Sequence, residues 1–577
     1  MNSRTAGILG WWREALGAIL VLVSRVLTAP RTPWENDEFL FAEGVRRFDP
    51  SLYHPHPPGY PLFILLGKIV NVLTNDPWRA LLILNIILAP IGFIALAREF
   101  RNWIDDADLA VAGALVFYFS ASMLVHGTIA LSDGASIAFL ALALLALTQN
   151  TERSALMLGI WSSAAIGCRP QLVVPIVPML LIAVWQMRTL RQRIACVAAF
   201  AFVSLMWFLP LMDAAGGWQA LVAYESKQAA YFASHDAAMS RGSMGSAAIG
   251  IRFLLHPWGS KYVTIPLILA VLLGLPLLWR RRQSLLPLFV FTAVQLIFEL
   301  GWMDPADGAR YSLPAMILFA LAAACGFDVI RRTANSRAVP WIGALILAAL
   351  SCWYAVPILA ARTGGPSPVF AAAQYANQNF APNTVILWDF ATRPQAEYLM
   401  PKFRSMSVEK GLAEFYDQPS VPLVLFADGG GAGKTFSWPE SDAYGKLTRN
   451  HYRVVTLQTI PPVERFLPVR GVYPPERTIA GDSWRWLGRD AGIRLPSARL
   501  PKVAITLRLS PDSPYDSDTV TINGSRLLVT KQPATATIPA AEEIVFHSDQ
   551  SFAPATVLHN QDPRILAVQL IRVVQSP

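Results

Sequence analysis

Residues 58–73 read PGYPLFILLGKIVNVL. The segment is apolar enough to enter a bilayer, yet Lys68 interrupts it, Pro61 sits in its first turn, and it falls short of the roughly 20 residues a spanning helix needs. Everything around it is membrane-like. Of 577 residues, 54% are hydrophobic and only 15% charged, against about 25% in soluble proteins. Trp11, Trp12, Trp78, Trp185, Trp279 and Trp341 stand near the ends of apolar runs, where amphipathic rings favour the membrane interface. The chain reads as a polytopic α-helical membrane protein.

Eleven other segments are long and apolar: 14–30, 78–97, 108–126, 130–148, 154–168, 171–187, 193–212, 260–279, 284–300, 311–330 and 339–361. With 58–73 held on the outer surface, Arg98 and Arg101, Arg153, Arg188 with Arg191 and Arg193, Arg280–Arg282, and Arg331 with Arg332 and Arg337 all fall on one side. Positive-inside bias makes that side cytoplasmic. A spanning 58–73 reverses the arrangement. The expectation is therefore eleven spans, an internal N-terminus retained as a signal anchor, and an external region after 361. Loop arginines account for the net charge of +9 without nucleic acid. Cys168, Cys196, Cys325 and Cys352 lie within apolar segments and suit small core residues, not disulfides.

This topology puts the loops 31–77 and 213–259 outside. The first contains TPWENDEFLFAEG (32–44), which crowds Glu35, Asp37 and Glu38 together. It reads equally as a short interfacial helix capped by Asn36 or Asp37, with Glu43 paired to Arg46 or Arg47. Asp133, in LSDGAS, opens an apolar helix at membrane depth; it is either its N-cap or a functional acid. Ser132 is the competing cap. HPHPPGYP (54–61) presents His54 and His56 beside the acidic loop, a weak metal spacing. Arg169 and Arg310 close external helix ends, where a guanidinium either forks onto a phosphate or anchors at the interface. Tyr224, Lys227, Tyr231 and Arg241 in the second loop are contact candidates, although any exposed loop is polar.

Taken in order, DEFLFAE, HPPGYPL, LSDGAS and RYSLP resemble the polyprenyl-phosphate-dependent GT-C glycosyltransferases, in particular the aminoarabinose transferases and protein O-mannosyltransferases. The resemblance spans roughly residues 10–320 and is strongest over 33–64. It implies a catalytic carboxylate at Asp37 with Glu38 beside it, a second acid at Asp133, and a surface-lying helix at 58–73. Phe41 stands where a tyrosine is common, and His56 where aminoarabinose-type relatives carry lysine.

The implied reaction moves a sugar from a polyprenyl-phosphate donor to an acceptor hydroxyl of a glycan, lipid or protein, with inversion. Asp37 takes the hydroxyl proton. Arg310, Tyr311, Arg169, Lys261, Lys227 and His56 line the substrate, the cations offsetting charge on the departing phosphate. Asp133 orients the acceptor, holds Asp37, or shares a divalent metal ion with Asp37 and His56. No nucleotide is required, because the sugar arrives activated on lipid. The expected location is a bacterial inner membrane with the site on the periplasmic side. A transporter or lipid flippase is the competing class, but neither internal repeats nor mid-bilayer acids are evident. A glycolipid-binding protein without turnover is the other.

Beyond 361 the composition is that of soluble protein. Residues 362–480 suggest an α/β unit, and 481–577, with an Asn-Gly turn at 523–524, a β-sandwich-like module. DGGGAGKT (428–435) is not a phosphate loop, since Asp428 replaces its first glycine and Pro439 follows closely.

Overall fold

The computed structural model describes residues 3–235, 237, 250, 254–439, 441, 443–448, 453–478, 482–557 and 562–577. Arg241 lies outside them. The chain divides into two compact units, one of residues 1–365 with 439–450, the other of 366–438 with 451–577.

The first unit is helical. Its helices run α1 Ser3–Leu27, α2 Asn36–Arg46, α3 Pro61–Thr74, α4 Pro77–Ile104, α5 Ala107–Tyr118, α6 Ala121–His126, α7 Asp133–Leu147 and α8 Glu152–Cys168. Then come α9 Val173–Gln186, α10 Leu190–Ala214, α11 Trp218–His235, α12 Lys261–Arg280, α13 Arg282–Trp302, α14 Gly308–Tyr311, α15 Leu313–Ala334 and α16 Val339–Gly364. Every predicted span is helical, and six helices among the described residues are long and apolar enough to cross a membrane. The protein is an integral membrane protein.

The predicted span 108–126 is broken. Its helix stops at Tyr118, and Ser120 caps a new one by accepting from Met123 N. Helix α3 has 14 residues, about 21 Å at 1.5 Å per residue, short of the roughly 30 Å hydrocarbon layer. It buries Phe63, Ile64 and Gly67 and exposes Leu65, Ile69, Val72 and Leu73.

Helices α4, α5, α7 and α15 form the core, packed through small residues. A Cβ on Gly274 would stand 1.9 Å from Ala322 O, and one on Gly326 1.9 Å from Ala270 O, so α12 and α15 touch backbone to backbone. Helices α10, α12 and α16 leave rows of Ile, Leu, Val and Phe exposed, as a lipid-facing surface requires. All four cysteines are free. One tryptophan departs from the interfacial reading, while another, Trp341, stays half-buried at a helix end. Trp78 is buried and donates to Glu38, and Trp341 donates to Asp108. The Trp78 indole N–H finds a buried acid inside the bundle, which outweighs the interface.

In the second unit, β1 Val385–Trp388, β2 Arg404–Ser407 and β3 Leu423–Asp428 are parallel, and β4 Lys434–Ser437 and β5 Val454–Ile460 complete a sheet of order β2-β1-β3-β5-β4. The glycine-rich run leads into strand β4 rather than a helix. The boundary expected at 480 falls inside the next sheet, because β6 Leu467–Arg477 pairs with β7 Ser483–Arg494. That sheet has eight strands, ordered β10-β9-β12-β7-β13-β8-β11 with β6 on β7. Here β8 is Lys502–Arg508, β9 Ser517–Ile522, β10 Ser525–Thr530, β11 Ala534–Pro539, β12 Glu543–Ser548 and β13 Gln569–Ser576. It is one sheet curled until β10 meets β11, around Leu487, Ile493, Ile505, Val520 and Phe546. Asn523 and Gly524, at φ 44° and 87°, make the tight β9–β10 turn.

Candidate active site

The acidic loop separates into three carboxylates with three different fates. Glu35, in extended backbone, occupies the N-cap position of α2, one residue earlier than Asn36 or Asp37. Its Oε1 lies 3.2 Å from Nη2 of Arg362, a fully buried guanidinium that also donates to Val125 O at 2.7 Å. Burial pushes the Glu35 carboxyl up to about 7, against the pull of Arg362. Glu43 pairs with Arg46 at 2.9 Å, as helical spacing predicts.

Glu38 is fully buried, and both its oxygens are occupied. Oε2 accepts from Trp34 N at 2.7 Å and Glu35 N at 2.9 Å; Oε1 accepts from Trp78 Nε1 at 2.9 Å and Ala130 N at 3.0 Å. It ties the first loop to α4 and to the turn before α7. This corrects its assignment as a catalytic acid: a carboxylate consumed by four N–H donors has no lone pair aimed at a substrate. Glu38→Gln turns an acceptor oxygen into an NH₂ group facing those donors. The expected cost is about 2–4 kcal/mol, read as a lowered unfolding temperature of the full chain in detergent.

Asp37 remains the accessible acid, with its side chain 28% exposed. Its Oδ2 lies 3.6 Å from Arg310 Nη2, and Oδ1 lies 3.9 Å from His56 Nδ1. His56 stacks on Phe41, with centroids 5.7 Å apart, and its Nε2 meets Tyr60 OH at 3.3 Å. Gln171 Nε2 donates to the same hydroxyl at 3.0 Å. Burial raises the Tyr60 hydroxyl to about 12, so it stays protonated.

Asp133 is 3% exposed and begins α7, with Ser132 at the N-cap position making no side-chain cap bond. Its Oδ1 receives Nη1 of Arg169, and its Oδ2 lies 3.3 Å from Nε of Arg310. Neither Oδ2 nor that Nε has hydrogen-bond geometry. Asn85 shapes this end of α7 by donating Nδ2 to Ile129 O and Leu131 O, each at 2.7 Å.

Arg310 sits on the single turn α14, and Asp307 lies 3.6 Å from its Nη1. Burial opposes its charge, but Asp133, Tyr311, Asp307 and Asp37 outweigh that and hold it protonated. Both guanidiniums lie over the Tyr311 ring, Arg169 at 5.4 Å and Arg310 at 5.2 Å. Arg310 thus bridges Asp37 and Asp133, two acids separated widely in sequence.

Sequence reasoning overlooked several members. Asp307 was legible as an (i, i+3) partner of Arg310. Tyr60, Gln171 and the Glu35–Arg362 pair carried no local signal. Neither did buried His126, whose Nε2 meets Leu447 O at 2.7 Å, a residue of the inserted 439–450 segment. Lys227 on α11 and Lys261 on α12 are exposed and form no ion pair with this cluster among the described residues; Lys261 lies 5.5 Å over Tyr262.

Asp133 is poorly placed to share a divalent metal with Asp37. The Asp133 carboxylate already faces two guanidiniums, and a cation between it and Asp37 would stand against Arg310. Among the described residues no three His, Cys, Asp or Glu side chains are grouped to hold a metal ion.

Residues 55–212 match the family model described as dolichyl-phosphate-mannose-protein mannosyltransferase. The match includes Asp133 and Arg169 and begins after Asp37. No curated protein matches the chain in sequence. Among solved structures, ArnT from Cupriavidus metallidurans bound to undecaprenyl phosphate aligns with TM-score 0.51 and 12% identity, over 77% of this chain and 97% of that one. The apo form of the same protein gives 0.51 and 12%, over 78% and 98%. In fold the chain is thus similar to the membrane protein ArnT, and one segment of it matches a mannosyltransferase family model.

Proposed function

We propose that the protein transfers a sugar from a polyprenyl-phosphate carrier to an acceptor hydroxyl on the non-cytoplasmic face of a bacterial inner membrane, with inversion at the sugar C1. The observation that carries this reading is the bridge Asp37–Arg310–Asp133. It sets one accessible carboxylate beside one buried, permanently charged guanidinium. The ArnT structure holding undecaprenyl phosphate supports a lipid-phosphate donor.

In the proposed step, Asp37 accepts the proton of the acceptor hydroxyl while that oxygen forms its bond to C1. The bond from C1 to the phosphate oxygen breaks, and its electron pair leaves with the polyprenyl phosphate. Arg310, oriented by Asp133 and Asp307, stabilises the negative charge on the departing phosphate. Arg169 holds Asp133 and contributes to the same field. Removing the hydroxyl proton at the acid beside Arg310 as the bond forms avoids a free alkoxide in a partly dry site. No metal ion takes part in this scheme.

The test is turnover by the purified full chain in vesicles prepared with cell-envelope glycans and glycolipids as acceptor hydroxyls and with hexosyl and pentosyl polyprenyl phosphates as donors, measured as liberated polyprenyl phosphate. Consumption of one donor class with chelator present is the expected result. Binding of undecaprenyl phosphate without consumption of any donor would instead identify a glycolipid receptor.

A further inference from the structure

A second polar site lies at the opposite end of the helix that carries Asp133. Helix α7 runs from Asp133 to Leu147, about 21 Å at 1.5 Å per residue. Just beyond Leu147 opens a cavity of ≈ 770 Å³, walled by the ends of α4, α7 and α9 and the starts of α8, α10 and α13. Its lining is dominated by amides, hydroxyls and cations, among them Arg101, Asn102, Thr148, Asn150, Arg188 and Gln283. Asp105 is the carboxylate in that lining, so the wall carries a net positive charge.

Much of the amide network is already braced. Asn102 donates to Thr148 Oγ1, which donates to the buried Glu99, and Gln192 donates to Asn150 O. The guanidiniums are less committed. Arg101 comes no closer than 3.8 Å to Glu14. Arg188 is exposed and forms no ion pair among the described residues. Beside the mouth, Leu181, Trp185, Leu190 and Ile194 on α9 and α10 are exposed apolar surface, 58–73% accessible. This end of the bundle is also where positive-inside bias places the arginine-rich loops.

We infer that this cavity binds the anionic phosphate headgroup of a phospholipid of the arginine-rich leaflet, with acyl chains lying along α9 and α10. A basic pocket between helix ends, beside lipid-facing apolar residues, suits that chemistry. Arg188 and Arg101 supply charge-assisted donors to phosphate oxygens. The amides suit the headgroup's hydroxyl or ester oxygens. This site is independent of the proposed transfer reaction, from which a helix length separates it.

Native mass spectrometry of the full chain in detergent tests the inference, since no membrane surface potential operates there. The probes are phosphatidylglycerol, phosphatidylcholine and inorganic phosphate. Phosphatidylglycerol is expected to bind one to one and phosphatidylcholine not to bind. Arg188→Gln and Arg101→Gln are each expected to weaken phosphatidylglycerol roughly tenfold. Arg153→Gln, an exposed arginine of the same end outside the lining, is expected to leave it unchanged. Equal weakening by all three variants would reduce the effect to general surface charge and overturn the site. Displacement of the lipid by inorganic phosphate at comparable concentration would overturn the lipid assignment in favour of a free-phosphate site. Unaltered affinity in Arg188→Gln and Arg101→Gln, with both chains folded by unfolding temperature, would also end the proposal.

Discussion

Asp37→Asn is expected to lower sugar transfer by roughly 10²–10⁴, the usual contribution of a positioned general base, while undecaprenyl phosphate still binds. The asymmetry follows from geometry. Asp37 is the accessible carboxylate of the three, and its removal leaves Arg310 paired with Asp133 and Asp307. Asparagine keeps the shape and loses the proton acceptor. Unfolding temperature is expected to change little, because the 3.6 Å and 3.9 Å contacts of Asp37 are long and partly solvated. Measured transfer equal to the parent would take Asp37 out of the mechanism. Loss of transfer together with loss of fold would assign it a scaffolding role.

Arg310→Gln is expected to fail in both respects. In the proposed step it removes the cation that offsets charge on the leaving phosphate, worth roughly 10²–10³ in rate. It also leaves the buried Asp133 with Arg169 as its remaining partner. Breaking a buried ion pair from one side costs about 3–5 kcal/mol, so a marked drop in unfolding temperature accompanies the lost turnover. The double variant Asp133→Asn/Arg310→Gln is expected to recover part of that stability without recovering activity. A strictly additive stability cycle would show that the 3.3 Å pairing carries no energy. Arg310→Lys is expected to restore more stability than rate, because an ammonium cannot reach Asp37, Asp133 and Asp307 from one planar fork.

Local sequence was informative wherever a local rule applied. Apolar length located the helices, since a bilayer penalises unpaired backbone. The alternation in 502–508 and the Asn-Gly pair at 523–524 announced the C-terminal strands and their turn. The α/β boundary was harder to place. Residues 467–477 carry several prolines, yet they pair as a strand at the side of the second sheet, where missing N–H groups are tolerated.

For the site, the sequence by itself put Asp37, Asp133, Arg169 and Arg310 near helix ends, and the structure brings these four together. Tertiary structure alone decided their uses. Glu38 and Asp37 are neighbours with the same chemistry, but helical rotation points one at four buried N–H groups and the other at Arg310. Trp78 likewise left the interface for an acid 40 positions away. The physical reason is that a buried charge takes its role from whichever donors surround it, and those donors come from segments that only packing brings together.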